Sequence, residues 1–336
     1  MNNMEVVGLG ALNIDHLCRV ERILGDGETA ADREQIEPVP GYRDAESKWV
    51  GAFPGGSAAN TICGLARLGV NTGFAGVVGD DAEGETLVKD FQKAGVNTSQ
   101  IKVKPGAKTG STQCLSDKLN FRSIHVMPGA NSLLTMNDLN LDYINQAKML
   151  HVSSFVDEKQ FKVLLKLIDK LDPSVKLSFS PGALYASKGI KALTPILART
   201  HILLLNQKEM QQLTGEDCAT GAESCLRQGC HIVAVTLGKG ASYKTVMATS
   251  YIRDTEKEYI IEPSGQTASE VDTTGAGDAF AAGFLYGLLK NKGLEECGRL
   301  GDIVARFSIA KAGAREGLPA SAELAQRYQE LHSRQL

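Results

Sequence analysis

The run Asp272-Thr273-Thr274-Gly275-Ala276-Gly277-Asp278 gathers residue types that can do chemistry. Its glycines let a backbone approach a ligand closely. An apolar stretch follows it, so the run reads as the entrance to a helix, capped by Thr273 or Thr274. Unpaired N–H groups and the helix dipole make such an entrance an anion site. Asp278 falls in the first turn. A carboxylate repels phosphate, so it suits a different task, taking a proton from an attacking hydroxyl. The amides of Gly275, Ala276 and Gly277 would meanwhile stabilise a transferring phosphoryl group. That is the division of labour in phosphoryl transfer. Taken alone, the run fits a plain capped helix with an acid in its first turn equally well.

Other chemistries lack their residues. No Gly-x-x-x-x-Gly-Lys-Ser/Thr occurs, and Gly8-x-Gly10-x-x-Asn13 lacks the third glycine of a dinucleotide fingerprint. No His-Arg-Asp, Asp-Phe-Gly or Gly-x-Ser-x-Gly appears. The seven cysteines show no Cys-x-x-Cys spacing, so they read as reduced structural thiols of a cytoplasmic enzyme. A formal net charge of −3 gives no reason to expect nucleic acid. No apolar run approaches the roughly 20 residues of a membrane span, and the amino terminus lacks the pattern of a signal peptide.

The elements that must position these residues alternate. Val6 to Leu12, Thr72 to Val78, Met149 to Ser153, Lys176 to Phe179, His201 to Leu205 and His231 to Thr236 read as short buried strands. Ser57 to Leu68, Gly84 to Ala94, Lys159 to Leu171 and Ile190 to Ala198 have the spacing of helices between them. Gly275 to Lys290, Leu294 to Lys311 and Ser321 to Ser333 read as three closing helices, and Tyr243 to Glu262 as edge strands. A strand-like segment should end near Val271. This rhythm indicates an α/β fold, a mostly parallel sheet covered on both faces. Residues Leu17–Trp49 and Ser111–Met127 interrupt it. They read as insertions that build a small β-rich lid at the carboxyl ends of the strands, where ligands bind in open α/β sheets.

Seven motifs in chain order then resemble the ribokinase-like PfkB family of carbohydrate kinases. They are Gly10-Ala-Leu-Asn13-Ile-Asp15, Gly55-Gly56-Ser-Ala-Ala-Asn60, Gly79-Asp80 with Gly84, Pro128-Gly-Ala-Asn131, Asn206-Gln-Lys-Glu209, Thr236-Leu-Gly238-Lys-Gly240 and Asp272 to Asp278. The resemblance implies a single three-layer αβα domain over 1–336, with a small β-sheet lid from about 15–50 and 108–127. It implies an ATP-dependent kinase acting on a hydroxyl of a small sugar or sugar derivative. Asp278 would be the base and Gly275, Ala276 and Gly277 the anion hole. Asn13, Asp15, Gly55, Gly56 and Asn60 would hold the acceptor with Asp278. Asn206, Thr236, Gly238, Gly240, Gly275 and Gly277 would face the nucleotide.

Further roles follow from the same likeness. Glu209 would organise Mg²⁺ through water, since Mg²⁺ keeps several waters and takes few protein ligands. Asn206 and Glu209 also make a capping box, and both readings can hold together. A monovalent cation, K⁺, would sit against Asp272, Thr274, Ser308, Lys311, Gly313 and Gly317. Pairing of two copies through the lid is expected. Ser57 stands where ribokinase has a lysine, and Ser153 or Ser154 where it has a substrate-binding glutamate, which puts ribose specificity in doubt. A nucleoside kinase and a non-catalytic sugar-binding protein are the alternative readings.

Overall fold

The computed structural model describes residues 4–20, 48–116, 122–243, 245–265, 271–333 and 336. The chain opens with β1 (Val6–Leu9), β2 (Asn13–Arg19) and β3 (Lys48–Gly55), then α1 (Ser57–Arg67), β4 (Thr72–Gly79), α2 (Ala82–Ala94) and β5 (Asn97–Lys104). A hairpin follows, β6 (Gly110–Ser116) and β7 (Arg122–Met127), then α3 (Leu141–Asn145), β8 (Met149–Ser153), α4 (Glu158–Asp169) and β9 (Lys176–Ser180). Next come α5 (Gly182–Ala186), α6 (Gly189–Leu197), β10 (Thr200–Asn206), α7 (Gln207–Thr214), α8 (Cys218–Arg227) and β11 (Ile232–Tyr243). Antiparallel β12 (Val246–Asp254) and β13 (Glu258–Ile261) lead to α9 (Ala276–Leu289), α10 (Leu294–Ser308) and α11 (Ser321–His332).

Among the described residues the main sheet has nine strands in the order β13-β12-β11-β10-β9-β8-β1-β4-β5. It is parallel from β5 to β11; β12 alone runs against it, and β13, antiparallel to β12, runs with the rest. Side chains alternate between its faces, as the pleat requires. Val7, Leu9, Leu203, Leu205, Val233 and Val235 enter one core with α3 to α8. Val6, Ile202, Leu204, Ile232 and Ala234 enter the other with α1, α2, α9, α10 and α11. Strand order reverses at β1, which lies between β8 and β4. An open parallel sheet forms its ligand crevice at such a reversal, beyond the carboxyl ends of the strands.

A second, four-stranded sheet, β3-β2-β6-β7, stands at that end. Its register sets Phe53, Asp15, Thr112 and Val126 in one cross-strand row, and Gly55, Asn13 and Gly110 in the next row on the same face. The strands of Ser111–Met127 are found, whereas the Asp117-Lys118 turn and residues 21–47 of the first insertion lie outside the described residues.

Several local expectations are corrected. The first strand stops at Leu9, and Asn13 already belongs to the small sheet. Helix α2 begins at Ala82, because Asp81 accepts from the Gly84 amide and caps it. Helix α10 ends at Ser308, not Lys311. Val271 is in a bend, and the segment before it, residues 266–270, lies outside the described residues. Five of the cysteines, Cys63, Cys218, Cys225, Cys230 and Cys297, are buried and all seven are free thiols.

Candidate active site

Helix α9 is apolar nearly all round, and Ala279 to Gly287 are buried. A helix of that composition must be enclosed, and it is gripped through small residues. A Cβ at Gly64 of α1 would come within 2.6 Å of Ala282, and one at Gly301 of α10 within 2.8 Å of Phe280. This close approach brings the first turn of α9 against the first turn of α1. Ser57 Oγ donates to Asp278 Oδ1 at 2.7 Å, and Asn60 Nδ2 donates to Oδ2 at 2.8 Å. The Asp278 carboxylate is therefore aimed by two donors, one on each oxygen.

The entrance to α9 differs from the expected cap. Its N-cap is Gly275, in the left-handed region at φ 74°, with no side-chain cap. Thr274 instead donates both its amide and its hydroxyl to Asp272 Oδ1 (3.0 and 2.8 Å). The expected anion hole is also refined. The Ala276 N–H is spent on the Thr273 carbonyl. The amides of Gly275, Gly277 and Asp278 have no acceptor among the described residues, so they are the ones open to an anion.

Asp278 lines one cleft with Ser57, Ser180, Asn206, Glu209, Thr236 and Gly277. Asn206 and Thr236 are register partners at the carboxyl end of β10, where its pairing with β11 stops. Beyond Thr236, the pairing with β12 jumps from Thr236↔Ser250 to Ala241↔Ala248, so residues 237–240 bulge out opposite Thr249. Gly238 (φ 65°) and Gly240 (φ 110°) make that bulge, which follows directly on Thr236, although neither glycine lines the cleft itself. Asn206 and Glu209 form the capping box of α7, with both bonds at 2.9 Å. Burial pushes the Glu209 carboxyl up to about 7, and the Asp278 charge adds to this. Only Oε2 of Glu209 is engaged by the cap. An oxygen donor left over in a cleft of free amides suits a hard, hydrated cation such as Mg²⁺.

The residues expected to hold the acceptor lie on the small sheet and at the start of α1. Asp15 is 7% exposed and Thr112 donates to its Oδ1 at 2.6 Å. Burial raises both Asp15 and Asp278 to about 6. Thr112 and Arg315 hold Asp15 back while Asp278 pushes it higher. Ser57, Asn60 and Arg315 restrain Asp278. A Cβ at Gly55 would collide with the Asp15 carboxylate, and one at Gly56 (φ 96°) with the Ala11 carbonyl. Asn13 is held by Asn131, whose Nδ2 donates to Asn13 Oδ1 at 2.9 Å.

The expected monovalent-cation residues are also neighbours. Gly313 N donates to Asp272 Oδ2 at 3.0 Å, and the Val271 and Asp272 amides donate to the Ile309 carbonyl. Gly317 packs against Ser308, where a Cβ would come within 2.7 Å of the Ser308 carbonyl, and the Lys311 amide donates to that carbonyl.

Two findings lie outside the sequence reading. Ser153 is not open to a ligand: it is 2% exposed, and its Oγ accepts from the Ala58 amide at 3.1 Å. Arg315, which no motif marks, is buried at the centre of the site. It donates to Asn60 Oδ1 (2.8 Å), the Gly55 carbonyl (2.7 Å) and Asp90 Oδ2 (2.6 Å), and lies 5.1 Å from the Phe91 ring centroid. Occupying Asn60 Oδ1 leaves Asn60 Nδ2 facing Asp278. Nothing in the sequence marks that role: Glu316 stands beside Arg315 in the chain, whereas its acidic partner Asp90 is 225 residues away.

Comparison with known proteins agrees with this layout. A family model described as pfkB family carbohydrate kinase matches residues 9–321. An uncharacterised sugar kinase of Archaeoglobus fulgidus is 38% identical over 263 residues, covering 77% of this chain and 100% of that protein. The adenosine kinase of Sinorhizobium meliloti superposes with a TM-score of 0.81 at 24% identity, covering 97% of this chain and 99% of that one. Thermotoga maritima ribokinase superposes at 0.77 and 23% identity, over 97% of this chain and 99% of that one. With its mainly parallel α/β sheet, its second small sheet and its whole-length family match, the chain belongs to the pfkB family of carbohydrate kinases.

Proposed function

We propose that the protein transfers the γ-phosphoryl group of ATP to a hydroxyl of a small sugar, with Asp278 as the base. The observation that carries this is the placement of Asp278. It is the one carboxylate aimed by Ser57 and Asn60 while adjoining the free amides at the start of α9. The acceptor hydroxyl enters from the Asp15 side and ATP from the Asn206, Thr236 and Gly238 side. The amides of Gly275, Gly277 and Asp278 take up charge on the transferring group. Raised to about 6, Asp278 is ionised at neutral pH yet basic enough to receive a proton. Mg²⁺, reached by Glu209 through water, neutralises phosphate charge when bound. K⁺ against the carbonyls near residues 272–274 and 308–317 would fix the loop that carries Gly275.

The test is Asp278→Asn, followed by ADP release with ATP, Mg²⁺ and a panel of neutral sugars, sugar phosphates and nucleosides. Turnover should fall about 10²–10⁴-fold with ATP binding retained. Turnover equal to the unmodified protein would remove Asp278 from the role.

A further inference from the structure

A second cavity lies between Asn13, Val126, Pro128, Phe155, Asp157 and Gln160. Its volume is about 10 Å³, room for roughly one water or one hydroxyl. Asn13 links it to the acceptor side of the site. Asn13 and Asp15 are two residues apart on β2, so their side chains share a face about 7 Å apart.

The polar groups there are incompletely paired. Gln160 is 2% exposed, and its amide nitrogen is spent on the carbonyls of Ser132 (2.6 Å) and Leu134 (3.1 Å). Those carbonyls fix the amide's orientation, since the flipped form would set oxygen against oxygen. Its Oε1 is buried with no partner among the described residues, a costly state unless a ligand brings a donor. Asp157 is the backbone N-cap of α4, yet its carboxylate makes no cap bond. Asn131 spends its amide on Leu12 and on Asn13 Oδ1, so the Asn13 nitrogen is left to donate.

We propose that this cavity is the far end of the acceptor site and seats a second, uncharged hydroxyl of the sugar. The hydroxyl donates into the gap shared by Gln160 Oε1 and Asp157, with the charged Asp157 as its stronger acceptor, and accepts from Asn13. A phosphate or carboxylate would face Asp157 and an oxygen acceptor. The amino end of α4 would favour an anion, but Asp157 and Glu158 already place two carboxylates there. A nucleobase exceeds the space. The inference rests on the kinase reading above and deepens it by naming a small neutral polyol as the acceptor.

The experiment compares the unmodified protein with Asp157→Ala for ribose, fructose, ribose 5-phosphate and adenosine, with single-deoxy analogues of the better neutral sugar. The expected result is preference for a neutral sugar and, in Asp157→Ala, an acceptor KM raised about 10–100-fold with the KM for ATP unchanged. One deoxy analogue should lose affinity in the unmodified protein and lose little more in the variant. An unchanged acceptor KM, or preference for ribose 5-phosphate or adenosine, overturns the proposal while leaving the kinase reading intact. If no acceptor is turned over, the kinase reading fails. Calorimetric binding of ribose and fructose to the two proteins then decides the cavity by itself, with Asp157-dependent binding supporting it and Asp157-independent binding or no binding overturning it.

Discussion

Burial raises the affinity of Asp278, Asp15 and Glu209 for protons, and the Asp278 charge raises Asp15 and Glu209 further. For Asp278 the folded value of about 6 lies above the ordinary aspartate value of 3.8. Folding therefore favours its protonated form. Its contribution to stability is full below about pH 4, declines as pH rises from there to 6, and is absent above it. The proposed base would act in the opposite form, so activity should rise through about pH 6. Melting curves of the unmodified protein and Asp278→Asn should consequently diverge between pH 4 and 7, with the variant gaining at the higher pH. Parallel curves would show that the carboxylate is not held protonated by the fold. Arg315 acts on the same groups. Asp278 is faced by Ser57, Asn60 and Thr61 of α1, by Asp15 of β2, by Glu209 of α7 and by Arg315. Arg315→Met removes the one cation among them, so the acid limb of kcat/KM should move to higher pH. Arg315→Lys keeps the charge and loses the three-way grip, so it should lower kcat with the limb unmoved. A limb in the same place in both variants would mean that Arg315 is only structural. Asp278 was legible as a candidate in the sequence because six further motifs accompany its run in chain order, the run alone fitting a capped helix equally well. Arg315 was not, because its partners Gly55, Asn60 and Asp90 are 225 to 260 residues away in the chain.

The elements position the site through close backbone approach. Gly55 and Gly56 end β3 and start α1, where a side chain would strike Asp15 or the Ala11 carbonyl. Gly56 also has a positive φ, a conformation that costs other residues about 1–3 kcal/mol. Gly56→Ala should lower the melting temperature and raise the acceptor KM more than the KM for ATP, because β1, β2 and α1 converge there. Equal changes in both constants would count against an acceptor-side role. The strand–helix alternation was readable because buried parallel strands are short apolar runs. Strand β5 (Asn97–Lys104) was not, since it is a polar edge strand with mostly half-exposed side chains. The Thr273/Thr274 cap was misread because Asp272, two residues earlier, competes for the Thr274 hydroxyl.

For the whole molecule, the small sheet is the feature whose surface is least explained by the chain itself. Trp49 is 56% exposed, and Val50 and Ile124 are also open to solvent. Two copies pairing through this sheet would cover them, in line with the tendency of open strand edges to pair. Sedimentation should then show a concentration-dependent dimer that Trp49→Lys with Ile124→Lys shifts toward monomer. A monomer at all concentrations in the unmodified protein would end that idea.

The sequence by itself determined the α/β alternation and the ordered motifs, and named the candidate site residues, because short-range spacing and glycine placement record local geometry. Only the tertiary structure decided which amides at the start of α9 are free, that Ser153 is spent on α1, that Arg315 joins Gly55, Asn60 and Asp90, and that Gln160 Oε1 is left over and Asp157 makes no cap bond beside Asn13. Those facts depend on contacts between distant parts of the chain, and the packing of α9 between α1 and α10 brings most of them about.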